Sequence, residues 1–145
     1  MKLLRAAAWL SGLWAGILLG IGLIGAPAGF ATAAREVAGA AAGRMFAHEA
    51  YLSLVLAVLL FSMLRRLARD AAEAGRGSVL DANMLLVLGT LFCTVVGYFA
   101  LQPMMAAARA GQGSLSFGAL HGISAAFYGL KTVLVATLAW RLSAR

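Results

Sequence analysis

Phe46 to Leu64 reads FAHEAYLSLVLAVLLFSML, and Arg65, Arg66 and Arg69 follow it at once. A helix over those residues extends roughly 28 Å, close to the ~30 Å hydrocarbon thickness of a bilayer. Beyond Glu49 the run carries no charge until the arginines, the pattern of a membrane span stopped at a surface. Three more apolar runs flank it. One precedes it at Ala6 to Phe30, a second extends from Asn83 to Gln102 before Pro103, and a third from Leu115 to Trp140.

The expected fold class is therefore an all-α membrane protein: four transmembrane helices, over about 6–30, 46–64, 83–102 and 115–140, in an up-down-up-down bundle with short loops. One transmembrane domain, 1–145, accounts for the chain. Composition agrees, since 63% of the 145 residues are hydrophobic, 12% are charged and the mean hydropathy is +0.91. That is about half the charge of an ordinary soluble domain. Proline at 103 is expected to close the third run, because its ring and missing N–H disfavour helix around it. The loop expected over Arg65 to Ala82 holds Asp70, Glu73, Arg76 and Asp81, and Gly111 to Ser114 forms a turn.

The start of the chain, with Lys2 and Arg5 ahead of the apolar run and Ala31 and Ala33 after it, has some marks of a secretory signal. Signal cores are about 7 to 15 residues long, so this longer, glycine-set run reads as a retained helix. With the N-terminus inside, Lys2, Arg5, Arg65, Arg66, Arg69, Arg76, Arg141 and Arg145 share one side, against Arg35, Arg44 and Arg109 on the other. Both termini are expected in the cytoplasm, in a bacterial inner membrane, with Trp9 and Trp140 at the inner interface. The formal net charge of +7 thus serves orientation and anionic lipid, with no nucleic-acid partner. Cys93, the single cysteine, excludes an internal disulfide and multi-cysteine metal sites.

Gly12, Gly16 and Gly20 form consecutive G-x-x-x-G steps, which let a neighbouring backbone come close. A contact inside the bundle is the expected use of this face, and a homo-oligomer seam through the first helix is the alternative. His48, Glu49, Gln102 and His121 fall toward one end of the bundle, flanked by Arg44 and Arg109. Such a set suits a metal or a haem, held by His48 and His121 if by any residues, or a proton relay. On the fourth run His121, Ser124, Tyr128 and Lys131 with Thr132 recur at spacings of three and four, so they share a stripe directed at the interior. Interhelical hydrogen bonding explains Ser124, Tyr128 and Thr132. A mid-helix lysine costs on the order of 3 kcal/mol, so Lys131 requires compensation, from a partner or by snorkelling to the inner interface. There is no Walker loop, G-x-S-x-G elbow, H-E-x-x-H or dinucleotide fingerprint, and the scarcity of acids disfavours a two-carboxylate hydrolase.

Trp9-Leu10-Ser11-Gly12-Leu13-Trp14, Gly43-Arg44-Met45-Phe46, Leu101-Gln102-Pro103-Met104 and Phe117 with His121-Gly122-Ile123-Ser124 resemble the bacterial domain-of-unknown-function 4149 family, which is similar to the transmembrane protein 205-like membrane proteins. The resemblance implies a four-helix multi-pass membrane protein and no established activity. Met104 stands where the family pattern often has a basic residue. In architecture the family is distantly similar to copper-resistance D proteins and to the haem-containing membrane protoporphyrinogen oxidase, a likeness of fold that does not fix function. The functional expectation is a multi-pass membrane protein of structural or interaction type, without enzymatic activity. A copper- or haem-binding protein with its site at the outer helix ends is the first alternative, and small-molecule or proton transport by an oligomer is the second.

Overall fold

A computed structural model describes residues 2–144; Met1 and Arg145, the latter counted among the basic residues above, lie outside the described residues. Four long helices account for nearly all of it: α1 (Lys2–Thr32), α2 (Arg35–Glu73), α3 (Ala82–Arg109) and α4 (Phe117–Ser143). All four are long and apolar enough to cross a membrane, and no strand is present among the described residues. Each helix packs on the next in sequence and α4 closes against α1, so α2 and α4 stand diagonally opposite.

The turns follow from local chemistry. α2 ends in a left-handed Gly75 (φ 71°), with the Arg76 N–H on the Ala71 carbonyl at 2.8 Å and the Gly75 N–H on that of Ala72 at 2.9 Å. The same device closes α3 at Gly111 (φ 74°), where the Gln112 N–H reaches the Ala107 carbonyl. Both are Schellman closures, which require a residue tolerant of positive φ. At the helix starts, the Asp81 carboxylate accepts from the Met84 N–H and the Ser116 hydroxyl oxygen from the Ala119 N–H, satisfying donors that have no intrahelical partner.

The helices run past the expected boundaries. α2 begins eleven residues before Phe46 and continues through Arg65, Arg66, Arg69, Asp70 and Glu73, so the loop expected from Arg65 shrinks to the few residues before Asp81. Hydropathy marks where side chains leave an apolar medium, whereas helix continues until a glycine stops it.

Pro103 does not close the third helix. α3 passes through it to Arg109, and the six residues just before, Val95–Ala100, are wound as π-helix ahead of an α segment that begins at Leu101. The proline thereby falls in the first turn of that segment, where its ring and missing N–H are tolerated. α1 does the same: a π segment at Gly20–Gly25 precedes Pro27. Both prolines of the chain thus follow a local rewinding of the helix, an arrangement that re-satisfies backbone disturbed by proline.

The glycine expectation is also corrected. α1 buries Ala7, Ser11, Trp14 and Leu18, a stripe at spacings of three and four, and Gly12 and Gly16 point the other way. A side chain added at Gly12, Gly16 or Gly20 meets nothing within 4 Å, so no close intramolecular contact uses this face. The closest approaches are at Gly22 and Gly97, one in each π segment: a methyl at Gly22 would lie 2.9 Å from the Tyr128 ring, and one at Gly97 would collide with Cβ of Phe127. Cβ sits next to the α4 backbone and cannot rotate aside. Gly97→Ala is therefore expected to destabilise the protein by about 1–3 kcal/mol, the usual cost of overpacking, while Gly16→Ala leaves the melting temperature of the monomer in detergent unchanged. Thermal melts followed by size-exclusion chromatography check both.

Candidate polar centre between α2 and α4

Glu49 lies on α2 at the spacing of Ser53, Leu56, Leu60 and Leu64, the face the helix buries. Lys131 lies on the buried stripe of α4 with Val135 and Leu138. Each is fourteen residues beyond the first residue of its helix, Arg35 or Phe117, and their side chains meet across the diagonal. The Lys131 Nζ donates to Glu49 Oε1 at 2.8 Å and to Oε2 at 2.7 Å. Both residues are 3% exposed or less.

A shell of neutral donors completes the pair. The Ser53 hydroxyl donates to Glu49 Oε1, and the Trp14 indole N–H of α1 donates to Ser53 Oγ at 3.0 Å. The Lys131 ammonium also stands 5.0 Å from the centre of the Tyr128 ring, within range of a cation–π attraction. Among the described residues no buried side-chain nitrogen or oxygen is left without a partner. Two charges removed from water this fully cost several kcal/mol each, and close geometry with extra hydrogen bonds is what offsets that cost.

Two α4 hydroxyls reach the other two helices. Ser124 donates to the Gly97 carbonyl in the π segment of α3 at 2.7 Å, and Tyr128 donates to the Leu18 carbonyl of α1 at 2.8 Å, two residues before the other π segment. Thr132 folds back onto the Tyr128 carbonyl within its own helix. One stripe of α4 thus touches α3, α1 and α2 in succession, through Ser124, Tyr128 and Lys131.

The cluster expected at one end of the bundle has a different arrangement from its grouping in sequence. Glu49 is turned inward onto Lys131, whereas His48 and His121 are exposed and Gln102 is half-buried. The His121 ring stacks on Phe117 at 5.7 Å, and the Arg109 guanidinium lies over the same Phe117 ring at 4.4 Å. No group of three or more His, Cys, Asp or Glu side chains is gathered among the described residues in a way that would hold a metal ion. Lys131 does not snorkel to the inner interface; its long arm finds Glu49. Sequence reasoning missed this pairing and the roles of Ser53 and Trp14. The signal was present, because Glu49 and Lys131 are the only acidic and the only basic residue inside the four apolar runs.

At the other end, the Arg141 Nε donates to Asn83 Oδ1 at 2.8 Å, and the Asn83 amide donates to the Asp81 carboxylate at 3.1 Å. This chain fastens the last turns of α4 to the start of α3.

Removing one member of the central pair strands the other as a buried charge. Lys131→Met or Glu49→Gln alone is expected to destabilise the protein by about 3–5 kcal/mol. The double variant, with no charge to strand and with an amide oxygen still accepting from Ser53, is expected to recover most of that loss. Melting temperatures of the three variants in one detergent provide the check, and a double variant as unstable as the sum of the singles contradicts this account.

The family model described as a domain of unknown function, DUF4149, matches residues 9–114, a stretch that holds most of α1, all of α2 and α3, and Glu49, and stops before α4. No curated protein and no solved structure matches the chain. With the family model covering well over half of its length, the chain belongs to the DUF4149 family.

Proposed function

We propose that the protein is a multi-pass integral membrane protein of structural or interaction type, a single domain over 1–145 whose four helices cross the bacterial inner membrane in alternating directions with both termini in the cytoplasm. The distribution of polarity supports the membrane assignment. Glu49, Ser53, Thr90, Thr94 and Lys131 are buried, while large apolar side chains face outward on every helix, among them Leu23 (71% exposed), Val58 (61%), Phe92 (60%) and Val133 (61%). In water that distribution is unfavourable by about 25 cal/mol for each Å² of exposed apolar surface; in hydrocarbon it is the stable one. Trp9 and Trp140, the two most exposed tryptophans at 74% and 76%, fit an interfacial position.

The single observation that carries the non-enzymatic reading is the closed network around Glu49 and Lys131. Its donors and acceptors are spent on one another, which is what a device for holding helices together requires. A catalytic acid, base or nucleophile needs a face open to substrate.

Cysteine scanning tests the topology in intact cells, with native Cys93 buried and silent. Ser78→Cys, in the α2–α3 connection, is expected to react only after the membrane is opened, and Gln112→Cys, in the α3–α4 connection, to react with an impermeant maleimide from outside. The reverse pattern overturns the orientation. Release of the protein from membranes by alkaline carbonate overturns the membrane assignment itself.

A further inference from the structure

One exposed stripe of α2 changes character in an ordered way. Leu52, Val55 and Leu59 are exposed and apolar, with Leu52 38%, Val55 56% and Leu59 49% accessible. The same stripe continues at spacings of three and four with Ser62, Arg66, Arg69 and Glu73, all exposed. Ser62, Arg65, Arg66, Arg69, Asp70 and Glu73 line a shallow groove of about 440 Å³. The single ion pair among the described residues is that of Lys131 with Glu49, so neither the three guanidiniums nor the two carboxylates of this groove are neutralised, by each other or by a neighbouring helix. Arg66 with Asp70 and Arg69 with Glu73 stand four apart with the cation first, the weaker order for a pair along a helix.

We propose that this stripe seats an aminophospholipid, that is, a phosphodiester bearing a primary ammonium, from the inner leaflet. The inference rests on the proposed membrane position of α2, with Arg65 at the bilayer surface. From hydrocarbon outward, the order of groups on the helix is the order of groups in such a lipid. An acyl chain lies along Leu52, Val55 and Leu59. Ser62, whose hydroxyl donates to the Val58 carbonyl at 2.8 Å, marks the change from apolar to polar surface; Arg65, Arg66 and Arg69 take the phosphate, and Asp70 and Glu73 take the ammonium. Arg66 and Asp70 are one turn apart, about 6 Å of helix rise, which suits a phosphate and an amine joined by two methylenes. Charge complementarity selects the class. Arginine forks bind phosphate oxygens in pairs, and three of them alone fit any anionic lipid. The carboxylates beyond them repel a head group that is purely anionic, and a quaternary ammonium brings them no N–H to accept.

The test is native mass spectrometry of the full chain, released from detergent after exposure to an equimolar mixture of phosphatidylethanolamine, phosphatidylcholine and phosphatidylglycerol with identical acyl chains. Phosphatidylethanolamine adducts are expected to exceed phosphatidylcholine adducts by roughly fivefold, the upper range for one exposed ion pair. D70N/E73Q is expected to erase that preference and raise phosphatidylglycerol retention, and R66Q/R69Q to lower retention of all three. These surface substitutions leave the buried network intact, and an unchanged melting temperature verifies the fold. Equal retention of the three lipids by the natural chain overturns the proposal, as does a preference that survives D70N/E73Q or adducts indifferent to R66Q/R69Q. A protein that resists carbonate extraction yet shows no head-group preference sinks this inference alone; one that carbonate releases sinks the membrane reading beneath it.

Discussion

Two opposite charges buried between helices that otherwise meet only narrowly, as where Phe46 packs edge-to-face on Tyr128, fix how those helices are turned. α2 and α4 lie on the diagonal of the four-helix arrangement, so no extended apolar ridge of one, beyond the edge-to-face contact of Phe46 with Tyr128 at 5.1 Å, sets the rotation of the other. The Lys131 to Glu49 contact does so: a rotation of either helix by one residue, about 100°, would swing a charged group out of reach of its partner. Hydrophobic packing tolerates such slips at modest cost because one apolar side chain can replace another, whereas a stranded buried charge has no substitute partner. Specification of one arrangement is the best-attested role of buried polar groups, and it is the role this geometry suits.

The other two helices are fastened to the same stripe by weaker means. Ser124 and Tyr128 reach main-chain carbonyls of α3 and α1 at or beside the π segments, where the regular i to i−4 pattern is interrupted. Gly22 and Gly97 sit in those segments and leave room for the rings of Tyr128 and Phe127. Proline, π winding and glycine thus act together. The prolines are accommodated by rewinding, the rewound turns coincide with the glycines at which α4 comes closest, and α4 hydroxyls add bonds to backbone there. Interhelical hydrogen bonds of this kind contribute about 0.6 kcal/mol each in a membrane protein, so their number and placement along one helix matter more than any single one.

The four long helices were readable because a crossing of lipid requires about 20 apolar residues, and four runs are long and apolar enough to meet that condition. Helix ends were not, since α2 continues well beyond the point where its sequence turns basic and stops only at Gly75. That error hid the central pair. Counted from the apolar boundaries, Glu49 sits near the edge of its run and Lys131 deep in its own, at different apparent levels; counted from the true helix starts they are level. The stripe on α4 was visible in its spacing, and its partners were not, because a three- or four-residue repeat identifies a shared face without saying which helix that face meets. Gly12, Gly16 and Gly20 misled for a related reason: the repeat predicts that a backbone can approach, and the buried face of α1 was decided by the larger gain from burying Trp14 and Leu18.

An interior organised in this way directs recognition elsewhere. Opening the centre to a ligand would unpair Glu49, Lys131, Ser53 and Trp14 together, and each buried polar group left without a partner costs about 1–3 kcal/mol, more for the charged ones. A ligand would have to restore all of those contacts before gaining any affinity. Groups that still have hydrogen bonds and charge to offer are on the outside, among them those at the end of α2, where three guanidiniums and two carboxylates stand unneutralised on a helix that extends beyond its apolar run. The rigid interior then acts as a support: by holding α2 at one rotation, the Glu49 to Lys131 contact also determines which direction the charged stripe faces, and so couples the fold to the surface it presents.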